Sequence, residues 1–152
     1  RDVVTGLYVR EYFDDVIARE LERSRRHGIR LSVLSVVLAN LAELSEAGEE
    51  TALAAVVEAA RALQANVRET DHLFRWEEDE FLLLLFNADA EACALKVSQL
   101  DQLFRPWRHD GGPVASAVKV RVGGATHEEH LVFASVLQAA RETARGGASG
   151  PA

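Results

Sequence analysis

Apolar positions fall along this chain in more than one rhythm. Between positions 31 and 41 they are almost continuous, which is the pattern of a central strand covered on both faces. Two shorter apolar runs, 72–76 and 81–86, enclose the acidic quartet Glu77, Glu78, Asp79 and Glu80, and runs of that length joined by so short a link predict a β-hairpin with the quartet at its tip. Val118, Val120 and Val122 alternate with Lys119 and Arg121, as in a half-buried strand. Elsewhere the apolar residues recur at helical spacing. Residues 8–27 carry Phe13, Val16, Ile17 and Leu21 on one stripe, with Gly28 as the stop. Residues 49–67 turn Leu53, Val56, Val57, Ala60, Leu63 and Val67 inward, residues 88–104 carry Leu95, Leu100 and Leu103 as far as a stop at Pro106, and residues 130–144 form a last helix. The predicted order is α-β-α-β-β-α-β-α. One feature of the hairpin is unusual: a tight turn favours residues that tolerate positive φ, and Glu77 and Glu78 do so poorly.

Composition narrows the class. At 152 residues, 48% hydrophobic and 27% charged, the chain is sized for one globular domain with a proper core. A net charge of -7 and a pI near 5.2 argue against a general nucleic-acid or anionic-membrane surface. The cluster Arg23, Arg25, Arg26 and His27 reads as a solvated helix end whose cations suit the helix dipole. A lone cysteine, Cys93, rules out an internal disulfide, fits a reducing compartment and reads as a small core residue. No run has the length of a membrane span or the form of a signal peptide, so a cytoplasmic location is expected. His127-Glu128-Glu129-His130 lacks a third ligand at a recognisable spacing, and is expected to cap the last helix rather than hold a metal. There is no nucleophile elbow, no phosphate-binding Gly-Lys-Ser/Thr loop and no Cys-x-x-Cys pair.

The hairpin resembles the signature of the GGDEF (diguanylate cyclase) family, with Glu77 and Glu78 in place of two glycines and Asp79, Glu80 and Phe81 kept. Arg68-Glu69-Thr70-Asp71 stands where that family has its product-binding Arg-x-x-Asp inhibitory site, and Asp2-Val3-Val4-Thr5-Gly6-Leu7 resembles its opening Asp-x-Leu-Thr-Gly-Leu. Together with the element order, the resemblance implies an α/β fold of the α+β type. Its central, mainly antiparallel sheet would be flanked by helices, like the palm of nucleotide cyclases and polymerases. It implies one domain over residues 1–145, followed by a flexible tail at 146–152. The abrupt start at the opening motif suggests a piece of a longer protein.

The resemblance also bears on activity. Active relatives carry a metal-binding aspartate and a second acid on the central strand, where Val37 and Ala39 stand here; Leu41-Ala42 replaces Phe-Lys and Ser45-Glu46 replaces Asn-Asp. Hydrocarbon side chains offer nothing to a hard cation. Val9-Arg10 replaces Asn-Arg, Arg121-Val122-Gly123 stands at the family's Ser-Ile-Gly, and Arg141, at a late basic position, reads as an ordinary exposed residue. The resemblance therefore implies a degenerate member with no catalytic residues, metal or cofactor. Its expected ligand is cyclic di-GMP, bound in the cytoplasm through Arg68 and Asp71 with Arg75 as a neighbour. An arginine fork can take a guanine edge or a phosphate, and a carboxylate can accept from guanine. The family's second arginine, from the helix after the hairpin, has Lys96 and Gln99 in its region. The alternative is a scaffold that binds no nucleotide and pairs with itself or with a neighbouring signalling domain.

Overall fold

The structure, a computed structural model, describes residues 1–109 and 118–146, with the backbone alone at 106–109. In chain order the elements are strand β1 (Tyr8–Val9), a 3-10 turn (Arg10–Tyr12), α1 (Phe13–His27), β2 (Leu31–Leu38), α2 (Leu41–Ala47) and α3 (Glu49–Gln64). The hairpin strands β3 (His72–Glu77) and β4 (Glu80–Phe86) follow, then α4 (Ala90–His109), β5 (Val120–Thr126) and α5 (Phe133–Ala144). The strands form one sheet in the order β1-β3-β4-β2-β5. Among the described residues only the β1–β3 pair is parallel. The expected mainly antiparallel sheet with flanking helices is what the chain forms.

Strand alternation divides the core between two faces. On one, Leu34, Val36, Leu83 and Leu85 meet α3 and α4; on the other, Val33, Phe74, Leu82 and Leu84 meet Phe13 and Val16 of α1 and Val136 and Ala140 of α5. All eight residues of β2 are buried, as its continuous apolar run predicts. Cys93 packs in the first core, where burial pushes its thiol pKa up. Among the described residues no helix is long and apolar enough to cross a membrane.

Several elements depart from the sequence expectation. The first helix begins at Phe13, not at residue 8, because Tyr8 and Val9 pair with Phe74 and Arg75 at the sheet edge. The central strand stops at Leu38: Asn40 Oδ1 accepts from Lys119 N at 2.8 Å and Asn40 O accepts from Leu44 N at 3.1 Å, which starts the unanticipated α2. Leu53 and Leu95 face solvent, since α3 packs through the smaller Ala52, Ala55, Ala59 and Ala60, and α4 through Cys93, Leu100 and Phe104. Helix α4 does not stop at Pro106 but runs on to His109. His127–His130 does not cap α5: the helix starts at Phe133, and His127 Nε2 instead bonds Leu131 O within the preceding loop. Of the predicted turn-rich link at 108–113, Arg108 and His109 instead belong to α4; the rest of it, and the predicted tail beyond Gly146, lie outside the described residues.

Candidate functional site

The hairpin tip answers the question its sequence poses. Glu77 lies opposite Glu80 with Glu78-Asp79 as the turn, and the register shifts between Arg75 and Glu77. Among the described non-glycine residues only Asn87 has positive φ, so the turn needs no left-handed residue. An arginine staples it instead. Arg75 Nε donates to Glu77 O at 3.1 Å and Nη2 to Glu78 O at 2.7 Å, while Nη1 reaches Asp2 Oδ2 at 3.2 Å. Asp2 is itself fixed by the Thr5 amide at 2.8 Å and the Thr5 hydroxyl at 2.7 Å. Burial pushes the Asp2 carboxyl up, but these hydrogen bonds and the Arg75 guanidinium outweigh it and hold the pKa below its ordinary value.

Alternation along β4 places Glu80 on the same face as Leu82 and Leu84, fully buried under α5. Its carboxylate is saturated. The Ser35 hydroxyl donates to Oε2 at 2.7 Å, Arg141 chelates both oxygens at 2.9 Å, and Arg145 Nη2 reaches Oε1 at 3.3 Å. Arg145 also grips Asp79 at 3.0 and 3.1 Å, and Arg10 pairs with Glu77 at 2.7 Å while lying 4.4 Å above the Trp76 ring. Arg141 is thus no ordinary exposed residue. The Glu80 hydrogen bond raises its pKa, and that to Asp79 raises the pKa of Arg145. Helix α5 comes this close because Gly123 lies beneath it: a Cβ there would stand 2.4 Å from Ala144 N. Arg145, the C-cap of α5, is a site residue that the sequence analysis does not name, although it follows Arg141 by only four positions. Between the start of α2, the hairpin tip and the end of α5 opens a cleft of about 760 Å³, lined by Ala39, Leu41, Ala42 and Ser45, by Glu77, Glu78 and Asp79, and by Arg141 and Arg145.

A second site lies at the other end of β4. The Asp71 side chain is 1% exposed and that of Arg68 is 59% exposed. Asp71 Oδ1 accepts from Arg68 Nη2 at 3.1 Å and Phe86 N at 3.4 Å, and Oδ2 accepts from Arg68 N at 3.0 Å and Arg68 Nε at 3.4 Å. Arg68 Nη2 also donates to Phe86 O at 2.8 Å. The carboxylate therefore does not stand free to accept from a ligand; it orients the arginine. Lys96 and Gln99 border the same hollow of about 250 Å³. Lys96 donates to Asn66 O, and partial burial holds its pKa below the ordinary value, with Asp71 opposing that shift. Arg75 is not part of this group. It pairs in register with Phe81, five residues or about 16 Å of strand from Phe86, and its guanidinium is used at the hairpin tip.

A sequence profile for the diguanylate cyclase GGDEF domain matches residues 1–146. The chain belongs to the GGDEF domain family. Diguanylate cyclase DosC of Escherichia coli (strain K12) is 32% identical over 88 residues, 57% of this chain and 19% of that protein, so the chain spans about a fifth of that relative's length. Diguanylate cyclase SiaD of Pseudomonas aeruginosa, solved in complex with its activator SiaC, matches with a TM-score of 0.81 at 26% identity, over 95% of this chain and 56% of that one. The GGDEF domain of DgcB from Caulobacter crescentus, solved with c-di-GMP, matches with a TM-score of 0.82 at 16% identity, over 95% and 85% of the two chains; at that identity the likeness is one of fold.

In this GGDEF domain the signature hairpin reads Glu77-Glu78-Asp79-Glu80-Phe81. Phe81 is core, Glu80 a buried ion-pair partner, and Glu77 and Glu78 the exposed rim of the cleft. The residues present do not fit a divalent cation at the cleft. Val37 and Ala39 offer hydrocarbon, and the Asp79 and Glu80 oxygens already face guanidinium groups.

Proposed function

We propose that this GGDEF domain is a catalytically inactive, degenerate member that serves as a cyclic di-GMP receptor through Arg68, within a larger signalling protein. The observation that carries the reading is the Arg68–Asp71 pair. The buried Asp71 holds the exposed Arg68 fork at the mouth of a hollow beside Lys96. A planar guanidinium held in one orientation loses little entropy on taking a guanine edge or a phosphate, and Lys96 supplies a second cation nearby. Asp71 is a positioning residue, and Arg75 plays no part. The inactive half of the reading is supported by the cleft, where Glu77 and Glu78 add negative charge to the rim and where Ala39 on its wall and Val37, paired with Glu80 on the neighbouring strand, offer no metal ligand. Two like charges about 4 Å apart cost on the order of 1 to 4 kcal/mol between bulk water and a protein surface.

Isothermal titration calorimetry with cyclic di-GMP tests it. Wild type is expected to bind, and Arg68→Ala to bind at least tenfold more weakly; because that variant also leaves the buried Asp71 without its counter-charge and melts lower, its fold is verified by circular dichroism at the titration temperature. No heat from the wild type up to high micromolar ligand, or equal binding by both proteins, overturns the receptor. That outcome favours the second reading, a scaffold that pairs with itself or with a neighbouring domain. Asp71's bonds to the backbone amides of Arg68 and Phe86 speak for it, since they would lock the end of the hairpin without any ligand.

A further inference from the structure

We infer that the cleft between the hairpin and α5 is an internal lock in which Arg145 is a built-in substitute for a divalent cation. One nitrogen, Arg145 Nη2, bridges Asp79 Oδ1 at 3.0 Å and Glu80 Oε1 at 3.3 Å. Two carboxylates from adjacent positions turned onto one positive centre form the arrangement that otherwise calls for a hard cation with oxygen ligands. The Ser35 hydroxyl, 2.7 Å from Glu80 Oε2, contributes a further oxygen to the same cluster. Bringing the negative charges of Asp79 and Glu80 so close requires a positive counter-charge between them, above all for Glu80, which is fully buried. A guanidinium meets that need permanently, since it stays protonated at every working pH.

Position on the fold makes the substitution possible. Arg141 sits in the last turn of α5 and Arg145, four residues on, is the helix's C-cap, and the bare backbone of Gly123 lets that helix approach the sheet. Arg141 holds both oxygens of Glu80, and Arg145 shares Oε1 with it while reaching on to Asp79. The charges then close locally: Glu77, Asp79 and Glu80 are met by Arg10, Arg141 and Arg145. The lock fastens α5 to the hairpin without metal, so the domain is held in one conformation whatever the cation concentration. This deepens the inactive half of the function proposed above and is independent of Arg68.

Manganese is the probe. Electron paramagnetic resonance of free Mn²⁺ titrated with the wild-type chain is expected to show no bound ion at millimolar metal, and the melting temperature is expected to move by less than about 1 °C between EDTA and 5 mM Mn²⁺. Arg145→Met clears the bridging position, leaves Arg141 on Glu80 and should still fold. It is expected to melt lower in EDTA, to bind Mn²⁺ at least tenfold more tightly than wild type, and to recover several degrees with the metal. Adding Asp79→Asn to that variant should abolish the recovery. Stoichiometric Mn²⁺ binding by the wild type overturns the lock, and so does an Arg145→Met protein that folds but ignores Mn²⁺. Neither result touches cyclic di-GMP binding, which the calorimetry reads separately.

Discussion

Glu80→Gln isolates the buried charge at the centre of the domain while keeping the side chain's shape. In the wild type the carboxylate receives one hydroxyl and three guanidinium N–H contacts, at 2.7, 2.9, 2.9 and 3.3 Å, with no exposure to water. Removing one member of a buried ion pair costs about 3 to 5 kcal/mol, because the partner is left without its counter-charge. Here the partners can partly rehydrate, since Arg141 is 23% and Arg145 42% exposed at the side chain, and the amide oxygen still accepts. The low end, about 3 kcal/mol, is therefore expected, which for a domain of this size lowers the melting temperature by about 6 to 12 °C. Urea denaturation followed by far-ultraviolet circular dichroism measures it, with Glu78→Gln as the control. Glu78 belongs to the same acidic quartet but is exposed, and its neutralisation should stay within about 0.5 kcal/mol of wild type. Raising the salt concentration should leave the Glu80 effect largely in place, because buried pairs are poorly screened. A Glu80→Gln protein within about 0.5 kcal/mol of wild type, or a Glu78→Gln protein equally destabilised, would refute the claim that burial and pairing set Glu80 apart.

Two further outcomes are expected. Asp2 has a depressed pKa in the folded state, so its stabilising contribution is present above the unfolded carboxylate's pKa and is lost as pH falls through the folded one. Asp2→Asn should therefore be less stable than wild type by about 1 kcal/mol at pH 7, with the gap narrowing as pH falls below the ordinary carboxylate range; a gap that stays constant all the way down the acid limb would show that Asp2 does not act through its charge on Arg75 and Thr5. Restoring the signature glycines with Glu77→Gly and Glu78→Gly should not yield product, since Val37 and Ala39 still supply no metal ligand. Chromatographic detection of pppGpG or cyclic di-GMP from GTP with magnesium or manganese, by this variant or by the wild type, would show that the cleft remains competent.

The local chemistry of side chains settled much of this protein in advance. A continuous apolar run suits a strand buried on both faces, and β2 is that strand; the short runs around the acidic quartet suit a hairpin, and β3 and β4 are that hairpin; Asp79-Glu80-Phe81 and Arg68-x-x-Asp71 carry the resemblance to the family in sequence alone. Periodicity, however, reports a residue's environment only when its neighbours are already known. Leu53 and Leu95 look like core residues by spacing and are exposed, because packing against the sheet chose the alanine side of α3 and the Cys93 side of α4. The quartet reads as four similar charges in sequence. Only strand alternation buries Glu80, leaves Glu77 and Glu78 in water, and brings Arg141 and Arg145 onto Asp79 and Glu80 from more than sixty positions away. Sequence proximity assigns Arg75 to the nearest motif, yet the length of β3 carries it away from Arg68 and hands it to Asp2, because partners are set by distance in space and strands move chain neighbours apart.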